Sequence, residues 1–267
     1  MNTTSPTQQE IVDSHTLIVA VFKQFKTELM QAYGNIEQTA KADASPLTHL
    51  DVKVETVLKE TLHAQFPAFG IKGEETEALP SQNGATWYID PIDGTSSFIR
   101  GLPYCSNMAG LVVNGEIVAS VIYHFASDEL FTAFKGQGAY RNGEKISVKN
   151  TDLSDSRVFA DAYSYIHAYP LYAPSQVKFY APIGATGYFL TRIAQGSIQG
   201  ACYLKANIQQ HDVIPGALLV QEAGGEFVSF TGKPFDYTCR RFMAGTSNIC
   251  DLTRRQLPGV TALLGSN

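Results

Sequence analysis

The chain has 267 residues, 44 % of them hydrophobic and 17 % charged, with 20 Lys and Arg against 25 Asp and Glu and a formal net charge of −5. That length accommodates one large domain or two packed subdomains with enough core to need no disulfide or structural metal, and the composition excludes disorder. An acidic balance without a Lys/Arg-rich run excludes sequence-independent nucleic-acid binding, and taken alone it also argues against an anionic substrate.

Two helical patterns open the chain. Ile11, His15, Ile18, Phe22, Phe25 and Leu29 recur at three- and four-residue spacing, with Gly34 as a stop. Val54, Val57, Leu58, Leu62 and Phe66 form a second stripe, with Thr48 as N-cap, Asp51 at the third helical position and Pro67 beyond the end. After Trp87 the pattern changes to strands. Residues 111–118 predict a hairpin, because Asn114-Gly115 supplies the positive φ of a type I′ turn, and Asn142-Gly143 repeats the device. From about Ser154, short strands at 157–160, 200–203 and 225–228 alternate with helices at 188–195 and 213–222, an α/β second half. No Pro/Gly/Ser linker marks the change near residue 150, so the halves are expected to pack as one unit: 1–150 as an α+β part and 151–267 as an α/β part.

Four scattered cysteines, Cys105, Cys202, Cys239 and Cys250, include no C-x-x-C pair, which predicts buried thiols in a reducing compartment. The N-terminal residues lack the zones of a signal peptide, and no apolar run reaches the length of a membrane span. The expected setting is the cytoplasm. None of the six histidines shows metal-ligand spacing, and their ordinary role is structural or at the surface.

The chemistry-bearing stretch is Asp90-Pro-Ile-Asp93-Gly94-Thr95-Ser96-Ser97-Phe98. As an isolated match, Asp-Pro-x-Asp-Gly is good turn chemistry. Here two carboxylates follow an apolar strand start and precede backbone N–H groups and hydroxyls, a combination that holds a divalent cation beside a phosphate. Gly73-Glu74-Glu75 lies upstream, and His211-Asp212 precedes the helix expected at 213–222. A Glu pair is commonly a solvated face and an Asp before a helix commonly a cap.

In this order the motifs resemble the inositol monophosphatase family of metal-dependent phosphatases over nearly the whole chain. Gly73-Glu74-Glu75 is similar to the family's Gly-Glu-Glu, and Asp90-Pro-Ile-Asp-Gly-Thr95 matches its central signature. His211-Asp-Val-Ile-Pro-Gly216 sits where the family has its Trp-Asp motif, with the matching Glu222-Ala-Gly-Gly225 after it. The resemblance implies a layered αβαβα sandwich of the inositol monophosphatase and fructose-1,6-bisphosphatase type, often a homodimer, and lithium-sensitive hydrolysis of a small phosphorylated metabolite. It implies two or three Mg²⁺ ions on Glu74, Asp90, the Ile92 carbonyl, Asp93 and Asp212, with phosphate at Gly94, Thr95 and Ser96. Asp51 and Thr95 would position a water that the cations activate, with Glu74 among the catalytic groups, for in-line attack on phosphorus. Bound cations reverse the local sign, so the acidic composition no longer argues against an anionic substrate.

Two positions depart from the family. Lys205 stands where inositol phosphatases carry an acidic residue for substrate hydroxyls; a cation binds a second phosphate or a carboxylate instead. His211 replaces the family's Trp. The segment from Lys41 to Asp51 leans toward the histidinol-phosphate and 3′-phosphoadenosine 5′-phosphate phosphatase branches, Arg100-Gly-Leu-Pro103 toward inositol phosphatases. A member that binds a phosphorylated ligand without turning it over is the alternative of another class, and the intact set of acids speaks against it.

Overall fold

The computed structural model describes residues 4–41, 45–181 and 185–265. Helix α1 (Gln8–Ala32) starts at a reciprocal cap, with Glu10 N donating to Thr7 Oγ1 and Thr7 N to Glu10 Oε2. Helix α2 (His49–Gln65) starts the same way at Thr48 and Asp51, and it stops two residues before Pro67. Their apolar stripes, including Ile18, Phe22 and Leu29 on α1 and Val54, Leu58 and Leu62 on α2, are buried against one face of a seven-stranded sheet.

That sheet runs in chain order through β1 (Gly70–Gly73), β2 (Ala85–Asp93), β3 (Ser106–Val113), β4 (Glu116–His124), β5 (Glu129–Phe134), β6 (Gly138–Arg141) and β7 (Glu144–Ile146). β1 and β2 are parallel and every later neighbour is antiparallel. Both expected Asn-Gly turns form, with φ of 50° and 87° at Asn114 and Gly115 and of 50° and 83° at Asn142 and Gly143. After β2 the chain makes one short helix, α3 (Thr95–Ile99).

The second half supplies the remaining layers. A five-stranded sheet contains β8 (Arg157–Ala160), β9 (Lys178–Tyr180), β10 (Gly200–Tyr203), β11 (Glu226–Ser229) and β12 (Phe242–Gly245), in the spatial order β9-β8-β10-β12-β11. Helices α4 (Ala162–Tyr172) and α7 (Ser247–Gly265) cover one face, through Ala168, Tyr172, Ile249 and Val260. Helices α5 (Thr186–Ala194) and α6 (Gln210–Glu222) lie between the two sheets. Strand alternation explains how one strand serves two cores: Cys202 and Met243 face α4 and α7, whereas Ala201 and Ala244 face α5 and α6. The order is therefore helix pair, sheet, helix pair, sheet, helix pair, the expected αβαβα sandwich. The central core joins Met108 and Ile122 of the first sheet to Leu190 and Val213 of the second half.

Several boundaries move. Helix α5 begins at Thr186 and α6 at Gln210, and the strand expected at 225–228 is Glu226–Ser229. Asp212 consequently lies inside its helix rather than before it. All four cysteines are free, with Cys105, Cys202 and Cys250 buried. No described helix is long and apolar enough to cross a membrane.

The approach of α5 to α6 fixes where Asp212 sits, and a Cβ placed on Gly216 would meet the Leu190 side chain. Gly216→Ala should therefore cost about 1–3 kcal/mol by overpacking, read as a lower urea midpoint with an unchanged m-value; an unchanged midpoint would show that the two helices separate freely.

Candidate active site

Asp90 and Asp93 are three residues apart, so in a regular strand they would face opposite sides of the sheet. The pairing with β3 resolves this. Asp90 pairs with Met108 and Asp93 with Ser106, so three steps on β2 match two on β3 and the register shifts between them. The Asp-Pro-Ile-Asp segment is thus an irregularity within the strand rather than a turn after it, and it brings both carboxylates to one side. Asn107 Nδ2 donates to the Pro91 carbonyl at 2.6 Å and holds the distorted backbone. Gly94 follows with φ of 79°, and a Cβ there would strike the Tyr104 carbonyl, so the turn into α3 requires glycine.

Three acids are each held at the start of a helix. Asp51, third residue of α2, accepts from Thr48 N and Thr48 Oγ1 at 2.8 and 2.6 Å. Asp212, third residue of α6, accepts from Gln209 N at 2.6 Å through Oδ2. Asp93 accepts from Thr186 N and Gly187 N, the first N–H groups of α5, both at 2.9 Å. Orphan N–H groups and the helix dipole favour negative charge at all three positions. Each acid is fixed in orientation, and Asp51 keeps Oδ1 for Thr95, whose Oγ1 lies 3.2 Å away and 2.9 Å from the Ile92 carbonyl.

The Gly73-Glu74-Glu75 segment reaches the same place by another device. Glu55, one turn after Asp51 on α2, is fully buried and accepts from Glu75 N, Thr76 N and Thr76 Oγ1 at 2.9, 2.7 and 2.6 Å. A Cβ on Gly73 would collide with that carboxylate. Lys41 bridges Glu74 Oε1 at 2.6 Å and Glu75 Oε1. Burial alone would lower the Lys41 ammonium, but the two carboxylates hold it above the ordinary lysine value. Burial pushes Glu75 up to about 7, with Lys41 opposing.

The structure brings Asp90, Asp93 and Asp212 together, with one ligand atom from each within 4.8 Å of the others, and does the same for Glu74, Asp90 and His211. No sequence spacing joins His211 to Glu74; α6 turns it toward that acid from the far half of the chain. Lys205 and Asn207 instead line a cavity of about 540 Å³ bounded by Asp93, Phe159, Tyr163, Tyr203 and Asp212. Ser96 presents its hydroxyl to Arg100 Nη1 at 2.7 Å. Of the branch-like segment from Lys41 to Asp51, residues 42–44 lie outside the described residues.

The electrostatics of this cluster call for a cation. Asp90 is 2 % exposed, its Oδ1 has no hydrogen-bond partner, and burial with the nearby Glu74, Asp93 and Asp212 raises it well above the ordinary carboxylate value. Burial pushes Asp93 and Asp212 up to about 6 against the hydrogen bonds they accept. Burial likewise raises Asp51, although the Thr48 and Thr95 bonds oppose it. Clustered oxygen donors with an orphaned buried lone pair suit a hard divalent cation, so the residues fit the metal that the motifs imply.

Comparison with known proteins agrees with this arrangement. Residues 10–262 match the profile of the Inositol monophosphatase family. The chain is 27 % identical over 253 residues to inositol monophosphatase 1 of Bos taurus, covering 90 % of each. It is 30 % identical to inositol-1-monophosphatase of Rhizobium meliloti, over 79 % of this chain and 83 % of that one. Among solved structures, the extragenic suppressor protein suhB of Bartonella henselae superposes with a TM-score of 0.83 at 27 % identity, covering 92 % of this chain and 98 % of that one. The Thermotoga maritima IMPase shares the fold, with a TM-score of 0.84 at 24 % identity over 94 % and 99 % of the two chains. Fold and relatives together define a phosphatase, a hydrolase of phosphoric monoesters. The chain belongs to the inositol monophosphatase family.

Because burial raises the Asp90, Asp93 and Asp212 carboxyls above their unfolded values, they favour the folded metal-free protein at low pH; the Asp93 and Asp212 contribution is lost as pH rises through about 6, and that of Asp90 is lost as pH rises through its own raised value. Asp90→Asn removes one buried ionisable carboxyl from the cluster. In chelator at neutral pH it should raise Tm by a few °C, because the folded metal-free protein then holds one fewer like-charged group away from water. The gain should shrink in acid, where the wild-type carboxyl is protonated. Thermal melts across pH check this, and an equal or lower Tm at neutral pH would refute it.

Proposed function

We propose that this protein is a Mg²⁺-dependent phosphomonoesterase acting on a small phosphorylated metabolite, by in-line attack of water with no covalent intermediate. The observation that carries this is the convergence of Glu74, Asp90, Asp93 and Asp212 beside a Thr95 hydroxyl already held by Asp51. The metal-ligand assignment is Glu74, Asp90 and the Ile92 carbonyl on one side and Asp90, Asp93 and Asp212 on the other, with Asp90 shared. Bound divalent cations supply Lewis-acid polarisation of the attacking water and of the ester oxygens.

The chain's own residues do the positioning. Asp51 orients Thr95 Oγ1 so that its lone pairs face the water, and Thr95 fixes the line of attack. Gly94, Thr95 and Ser96 open α3, whose first N–H groups have no carbonyl upstream within the helix and suit a phosphate oxygen. The cavity lined by Phe159, Tyr163, Lys205 and Asn207 adjoins Asp93 and Asp212, and it receives the organic part of the substrate. Lys205 at that position favours a substrate with a second anionic group over a neutral polyol.

The test is phosphate release by the purified chain, with and without Mg²⁺, from inositol 1-phosphate, histidinol phosphate, 3′-phosphoadenosine 5′-phosphate, fructose 1,6-bisphosphate and glycerol 2-phosphate, with lithium as inhibitor. Mg²⁺-dependent turnover of at least one substrate, abolished by Asp93→Asn in a folded protein, is expected. No turnover across the panel would favour a ligand-binding role. Lys205→Glu should lower kcat/KM for the doubly anionic substrates by about tenfold relative to glycerol 2-phosphate, a change of ~1.4 kcal/mol. An unchanged profile would show that Lys205 does not contact the substrate.

A further inference from the structure

The two clusters differ in donor chemistry. Asp90, Asp93 and Asp212 offer oxygen alone, whereas Glu74, Asp90 and His211 offer two carboxylates and an imidazole nitrogen. His211 is the second residue of α6, and its side chain is 13 % exposed, with Nε2 3.8 Å from Glu74 Oε2 and 4.0 Å from Asp212 Oδ1. Glu74 turns its other oxygen to Lys41 and so presents Oε2 toward His211. The buried Asp90 Oδ1, without a hydrogen-bond partner, is an independent sign that this place receives a ligand.

Nitrogen matters because Mg²⁺ is a hard ion that takes oxygen ligands, whereas first-row transition dications accept imidazole readily and bind mixed N/O sites more tightly. We propose that His211 is a metal ligand, and that the Glu74–Asp90–His211 position selects a transition dication of the Mn²⁺ to Zn²⁺ class over Mg²⁺. The neighbouring all-carboxylate position keeps the Mg²⁺ preference. The inference deepens the metal assignment above and rests on the same centre, which it makes a site of two unlike ions.

The experiment uses the full chain, stripped with chelator and titrated with Mn²⁺ in an excess of Mg²⁺. Pulsed electron paramagnetic resonance should show nitrogen hyperfine modulation on one tightly held Mn²⁺ in the wild type. In His211→Phe, which keeps a ring of similar size, the modulation should vanish and Mn²⁺ affinity should fall by about tenfold or more. His211→Asn serves as the second variant should the Phe protein fail to fold, with circular dichroism as the check. Tight Mn²⁺ without nitrogen modulation, or Mn²⁺ displaced by Mg²⁺ equally in wild type and variant, would overturn the inference. The two readings fail separately: nitrogen modulation without phosphatase turnover leaves this inference standing and removes the proposed activity. Turnover without the modulation does the reverse.

Discussion

Everything in this fold is arranged around the cost of holding several carboxylates together away from water. Asp90, Asp93 and Asp212 are close enough to share one ion, and burial already lifts all three above their ordinary pKa range. Like charges in such a place repel strongly, because little solvent screens them. The surroundings offset part of that repulsion without removing the charge. Helix starts meet Asp93 and Asp212, and Asn107 keeps the distorted strand from relaxing. What remains uncompensated, chiefly Asp90 Oδ1, is the electrostatic demand that a dication meets.

Helix α2 shows how economically this is done. Its first and second turns present Asp51 and Glu55 on one face, as i, i+4 neighbours must be. Asp51 fixes Thr95, and Glu55 moulds the Gly73-Glu74-Glu75 segment by accepting two N–H groups and a hydroxyl. One rigid helix thereby sets the relative placement of the Thr95 hydroxyl after β2 and the Glu74 carboxylate after β1, beyond the same end of two parallel strands. Sites built on regular elements in this way are held more closely than sites on free loops.

The sequence made local features legible and left most long-range ones hidden. Thr48, Asp51 and Pro67 mark α2 because capping chemistry is written within a few residues, and the Asn-Gly turns are visible for the same reason. Helices α4 and α7 were not legible: Pro170 and Pro258 lie inside them and interrupt the patterns that announce a helix. The Asp-Pro-Ile-Asp distortion reads equally well as a turn until β3 is seen to continue past it. Glu55 was open to discovery from its spacing to Asp51, but nothing nearby in sequence says that a buried glutamate there is satisfied by a loop 20 residues on. His211 was harder still, since it meets Glu74 only once α6 has packed between the two sheets.

The specificity side is built differently from the metal side, and the contrast is physical. Metal ligands must meet within a few ångströms, so the chain commits backbone irregularity and helix starts to them. Lys205 and Asn207 only line a wide cavity beyond β10, where a long flexible side chain needs no exact placement. The same scaffold can therefore keep its acidic centre while the lining of that cavity changes.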